Sequence, residues 1–141
     1  MKKILILLFF ILFCTVNTFS QNVKIVIEIT HIEVNRGDVY LAVFFNANEF
    51  KIEKPTIAFK LASNSTILRQ EVSLPPGEYL ISAYQDTNNN GKLDFSLIGI
   101  PKEPVAISNY FGKGFPSRNF NKQKIMIDDT TKKVVVRMYR F

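Results

Sequence analysis

The chain holds one cysteine, Cys14, one histidine, His31, and no tryptophan. Without a second thiol there is no intramolecular disulfide, and one histidine builds neither a multi-His zinc site nor, once Cys14 is removed, a Cys/His catalytic pair. No serine stands in a Gly-x-Ser-x-Gly elbow, and Gly112-Lys113-Gly114 is too short for a phosphate loop. Long apolar runs are also missing. The longest, Ile4 to Phe13, is about half the ~20 residues that a membrane-spanning helix requires.

That run has another use. Met1-Lys2-Lys3 supplies a charged start, Ile4 to Phe13 an apolar middle, and Thr18-Phe19-Ser20 small residues three places and one place before Gln21. The pattern predicts a signal peptide over residues 1–20, cleaved after Ser20, and a single exported domain over 21–141 in the periplasm or outside the cell. Bulky Phe13 in front of Cys14 argues against a lipid anchor. No stable membrane insertion is expected. Loss of Lys2 and Lys3 takes the net charge from +6 to +4. The remaining cations are scattered without a helical stripe, so nucleic acid is a poor partner and solubility explains the charge.

Apolar residues mostly recur with period two in short runs between turn residues, the strand signal. Val23, Ile25, Ile27 and Ile29 alternate with Lys24, Glu28 and Thr30, and the run resumes at Ile32 and Val34. Further strands are expected over 39–45, 56–62, 66–74, 78–85, 123–127 and 133–139. Only Asn46 to Lys54 has helical potential, and Pro55 stops it. The expectation is an all-β, antiparallel β-sandwich of about seven strands, Ig-like or prealbumin-like, with one long irregular stretch from Asp86 to Asn121. The terminal aromatic Phe141 on an alternating strand also suits an outer-membrane barrel, but most runs are shorter than the ~9–11 residues such strands need.

The most informative segment is Asp86-Thr87-Asn88-Asn89-Asn90-Gly91-Lys92-Leu93-Asp94. Oxygen-bearing side chains stand at relative positions 1, 3, 5 and 9 with glycine at 6, the first part of the calcium-loop pattern. Alternate residues of a tightly curled loop point inward, glycine permits the bend, and the carbonyl of Lys92 comes next. Thr87 is expected to face outward. Position 12, a glutamate in EF-hands, is Leu97, so the nearest acidic residue to complete the set is Glu103. Two readings compete: a calcium site formed by Asp86, Asn88, Asn90, Lys92, Asp94 and Glu103, or a plain Asn-Gly hairpin turn at Asn90-Gly91.

The run Leu74-Pro75-Pro76-Gly77-Glu78-Tyr79-Leu80-Ile81-Ser82-Ala83-Tyr84-Gln85-Asp86, the Asn-rich loop, Gly99-Ile100-Pro101-Lys102-Glu103 and Ser108-Asn109 together resemble a family of uncharacterised exported bacterial proteins, a domain of unknown function. Ala106-Ile107 stands where that pattern has a glycine and an aromatic. The resemblance implies a secreted β-sandwich and supplies no activity. Pro76-Gly77-Glu78-Tyr79 also looks like the strand opening of transthyretin-like, prealbumin-type modules, a likeness of fold alone. On that strand Tyr79, Ile81 and Ala83 share one face and Leu80, Ser82 and Tyr84 the other.

For catalysis only the carboxylates Asp86, Asp94 and Glu103 offer acid–base groups, and no enzyme is expected. His31 reads as an exposed or hydrogen-bonded strand residue without a catalytic partner. Tyr110, Phe111, Phe115 and Phe120 are expected to fold over the sheet as core; standing clear, they would suit a sugar or protein contact. The resulting expectation is a calcium-stabilised binding or structural module of the cell envelope, its partner an envelope protein or a glycan. The alternatives are a calcium-independent glycan- or peptide-binding module and a carboxylate-dependent envelope enzyme.

Overall fold

A computed structural model describes residues 21–141; the signal-peptide reading of residues 1–20, with Cys14, lies outside them. The chain forms β1 (Val23–Thr30), β2 (Val39–Phe44), helix α1 (Ala47–Lys51), β3 (Ile57–Leu61), β4 (Ile67–Leu74), β5 (Gly77–Gln85), β6 (Val105–Ile107), helix α2 (Phe120–Gln123), β7 (Ile125–Ile127) and β8 (Lys133–Arg137). One sheet has the order β4-β1-β8, and the other β3-β2-β5-β6 with β7 also paired to β5. The all-β sandwich is as the alternation foretells, with eight strands rather than seven.

The alternating apolar residues meet between the sheets. Ile25, Ile27 and Ile29 of β1 face Val39, Leu41 and Val43 of β2 and Tyr79, Ile81 and Ala83 of β5 in one cluster of buried side chains. Each of the larger aliphatic side chains contributes roughly 1.5–3 kcal/mol by leaving water. Leu80, on the other face of β5, is also fully buried and packs with Phe44 and Phe120 in a second, smaller cluster. Helix α1 is capped by Asn46, which accepts the Glu49 N–H at 3.0 Å, and Glu49 reaches back past the cap to accept the Phe45 N–H at 2.9 Å.

Three expectations need correction. The sandwich is not wholly antiparallel, because β8 runs parallel to β1, with Ile27 opposite Val134 and Ile29 opposite Val136. The C-terminal strand pairs with the N-terminal one, a long-range choice that hairpin-length spacings do not encode. Asp86 to Asn121 is not irregular throughout: β6 pairs with β5 inside it, and α2 begins at its end. Beyond β8 the chain crosses to the other sheet, where Val105 and Tyr139 exchange backbone hydrogen bonds of 2.9 and 2.8 Å. That bridge fixes where the stretch after the Asn-rich loop returns to the core. Lastly, His31, exposed as expected, lies just past β1 and not in the strand, in a left-handed conformation, φ 63°.

Candidate functional site: the Asn-rich loop

Strand β5 delivers the loop to one end of the sandwich. Its inward phase, Tyr79, Ile81, Ala83, continues to Gln85, whose amide is fully buried. The Gln85 side chain donates to the carbonyls of Glu33 and Arg36 at 2.6 and 3.0 Å and accepts the Glu33 N–H at 3.0 Å. It thereby fixes the turn before β2 against the root of the loop. Sequence reasoning passed over Gln85, although a polar residue in the inward phase of an apolar strand is a readable signal. Asp86 follows, its N–H donating to the Asp38 carbonyl at 2.9 Å.

From Asp86 the chain winds around its own side chains. The Asp86 carboxylate accepts the N–H groups of Asn90 at 3.0 Å and Gly91 at 2.7 Å. The Asn88 side-chain oxygen accepts the Asn90 N–H at 3.1 Å, and that of Asn90 the Lys92 N–H at 3.0 Å. Alternate residues thus turn their oxygens toward the loop's backbone. Left-handed Asn89 and Gly91, φ 57° and 80°, make the winding possible. Asn88, Asn90 and Asp94 converge: both amide groups donate to one Asp94 oxygen, at 2.7 and 2.6 Å. These two bonds hold the Asp94 carboxyl below the usual carboxylate range, with Lys92 and Lys102 nearby adding to the effect.

Glu103 does reach the loop. Its side chain accepts the Thr87 N–H at 2.8 Å on one oxygen and the Asp94 N–H at 3.2 Å on the other, clamping both ends of the loop from behind. The Thr87 hydroxyl also lies 3.5 Å from Glu103, so Thr87 turns toward this carboxylate and not outward. Asp86 and Glu103 are each only 2% exposed. The carboxylates do not close on a common point: among the described residues no three His, Cys, Asp or Glu side chains are grouped to hold a metal ion. Lys92 is exposed, with its N–H on Asn90. The groups that face the Asp94 carboxylate are the N–H donors of two side-chain amides.

Tyr84 stands beside the site, stacked on Tyr40 with centroids 4.9 Å apart and its hydroxyl 3.4 Å from the Gly91 carbonyl. Burial first, then Tyr40, Asp86 and Glu103, push its pKa up to about 12. The aromatics of the following stretch divide. Phe120 is core, as expected, but Phe111 and Phe115 are 80% and 62% exposed, which corrects their assignment to the core. Tyr110 packs edge-on against Tyr139 and, tilted, against Phe141, while Phe115 also meets Phe141.

Among the described residues no helix is long and apolar enough to cross a membrane. No curated protein and no solved structure matches the chain. The family described as "Uncharacterized protein conserved in bacteria (DUF2141)" matches residues 27–135, from within β1 to within β8 and across the entire loop. By that match the chain belongs to this family of uncharacterised bacterial proteins.

Proposed function

We propose that the protein is an exported, calcium-stabilised binding or structural module of the cell envelope, without catalytic activity. The observation that carries the calcium reading is the convergence of Asn88 and Asn90 on Asp94 in a loop wound around Asp86. A turn alone requires only Asn90-Gly91. Calcium would be held by Asp86, Asn88, Asn90, the Lys92 carbonyl and Asp94 once Asp86 and Asp94 close on one point, with Glu103 clamping the loop from behind. It would compete with the two amide groups for Asp94. Two loop carboxylates with neutral oxygens correspond to weak binding, on the order of 10⁻⁴–10⁻³ M, which suffices where calcium is abundant. Export rests on the leader pattern of residues 1–20.

The loop's neighbour offers a direct probe. Tyr84 contacts Gly91, so terbium bound in place of calcium should emit on excitation of the tyrosine. This emission should be lost with calcium in excess and in Asp94→Ala. No sensitised emission, or emission unchanged by both, would remove the metal reading. A second reading, calcium-independent capture of a glycan or peptide, is favoured by exposed Phe111 and Phe115; its affinity would be the same in chelator.

A further inference from the structure

A second feature follows the loop directly. Residues 94–102 form a short hairpin: Lys102 donates to the Asp94 carbonyl at 2.9 Å, Phe95 bridges Pro101, and Ser96 donates to the Ile100 carbonyl at 2.8 Å. At its end Gly99 donates to the Ser96 carbonyl at 2.9 Å, with left-handed φ 78°, and Ile100 donates to the Ser96 hydroxyl at 3.1 Å. This is a hydrogen-bonded turn whose two corner residues are Leu97 and Ile98. Corners of such turns are ordinarily Pro, Asn, Asp, Ser or Gly. Here they are two large aliphatics, 107% and 81% exposed.

The base of the finger is cationic. The Arg118 guanidinium lies over the Phe95 ring, 5.6 Å from its centroid, in an exposed and therefore weak ion pair with Glu53 at 3.6 Å, and Lys92 and Lys102 are both close enough to Asp94 to act on its carboxyl. From Gly91 to Lys122 the chain carries five cations, Lys92, Lys102, Lys113, Arg118 and Lys122, against Asp94 and the buried Glu103. Most of the surplus positive charge of residues 21–141, three of four, therefore accompanies the most exposed apolar side chains. A convex tip two residues wide buries far less than the ~1,000 Å² that a specific protein interface needs. A fluid apolar layer beneath an anionic surface accepts it without a complementary groove.

We propose that this hairpin docks the protein peripherally on an anionic phospholipid surface, with Leu97 and Ile98 entering the headgroup boundary and Lys92, Lys102 and Arg118 facing the lipid phosphates. The contact does not depend on the calcium reading of the neighbouring loop.

The test uses residues 21–141, which enclose both sheets and the core, so that the apolar run Ile4 to Phe13 contributes no binding of its own. The protein should co-sediment with vesicles of phosphatidylglycerol and phosphatidylcholine and much less with phosphatidylcholine alone, the binding falling as salt is raised. Leu97→Asp/Ile98→Asp should lower vesicle affinity at least about tenfold with the melting temperature unchanged. Because the chain has no tryptophan, Leu97→Trp gives a reporter at the tip alone, and its emission should shift to the blue when anionic vesicles are added. The proposal is overturned by absence of wild-type binding, by equal binding to the neutral vesicles, by a double-Asp variant that binds like wild type, or by a tip reporter whose emission does not move. Concentration-dependent self-association that the double variant abolishes, without vesicle binding, would overturn it in favour of a second copy of the chain.

Discussion

Glu103 accepts the backbone N–H of Thr87 at 2.8 Å from sixteen residues further along the chain, and so ties the start of the Asn-rich loop to the segment that returns to the core. Its other oxygen accepts the Asp94 N–H. Glu103→Ala removes a buried, charge-assisted acceptor from two backbone donors and should lower stability by about 2–3 kcal/mol, read by urea denaturation. Glu103→Gln keeps one acceptor oxygen and should lose less. Equal stability of wild type and the alanine variant would mean that the clamp is idle.

Two left-handed glycines separate strain from collision. Gly37, φ 78°, packs so closely on the Asp86 carbonyl that an added Cβ would overlap it, whereas Gly91, φ 80°, has open space around it. Gly91→Ala should cost about 1 kcal/mol, the penalty of left-handed backbone alone. Gly37→Ala should cost clearly more and should displace the loop root, visible as changed amide shifts at Asp86 and Thr87. Equal losses would remove the close approach from the account.

How much of this was legible in the sequence follows from the range of the interactions. Alternation placed seven of the eight strands, because burial of one sheet face leaves a local period of two. Strand β6 was missed: Val105-Ala106-Ile107 is too short to show a period, and it pairs because Ser108 lies between Ile81 and Gln123. The Ser108 hydroxyl accepts the Ile81 N–H at 3.0 Å and donates to the Gln123 carbonyl at 2.6 Å. The parallel union of β8 with β1 is likewise tertiary. In the loop, spacing marks Asp86, Asn88, Asn90 and Asp94 as one calcium ligand set with Glu103 to complete it. The hydrogen bonds instead join only Asn88 and Asn90 to Asp94 and leave Asp86 and Glu103 on backbone N–H groups. The hold of Glu103 on backbone N–H groups, and the turn of Thr87 toward it, depend on where the chain returns after Pro101, which no local pattern records.

Acid and alkali should each weaken the loop, through different groups. The Asp94 pKa is lowered by the amides of Asn88 and Asn90, so its stabilising contribution is present above the ordinary carboxylate range and is lost as pH falls through the depressed value. An NMR titration should show that value rising toward the ordinary range in Asn88→Ala/Asn90→Ala. The Tyr84 pKa is raised to about 12 by burial, then by Tyr40, Asp86 and Glu103. Its contribution is present below the ordinary tyrosine range and is lost as pH rises through about 12. Asp86→Asn should lower the Tyr84 value in an ultraviolet titration; an unchanged value would show that Asp86 does not act on it.

Export has its own check. Intact mass of the protein recovered from the envelope or medium should correspond to a chain beginning at Gln21, with or without cyclisation to pyroglutamate. A retained Met1 or a lipid on Cys14 would contradict the localisation.

The central claim, that the loop from Asp86 to Asp94 is a calcium site and not only a turn, is tested most directly by the melting temperature of residues 21–141 in calcium and in excess chelator. An ion that binds only the folded chain adds about 2.7 kcal/mol at a hundred times its dissociation constant, so about 10 mM calcium does this for a constant near 10⁻⁴ M. For a domain of this size that corresponds to a rise of roughly 10 °C. Magnesium should give far less, because it demands octahedral geometry and dehydrates reluctantly, and Asp94→Ala should remove the calcium-dependent part. The same melting temperature in calcium and in chelator would contradict the account and leave Asn90-Gly91 as a turn.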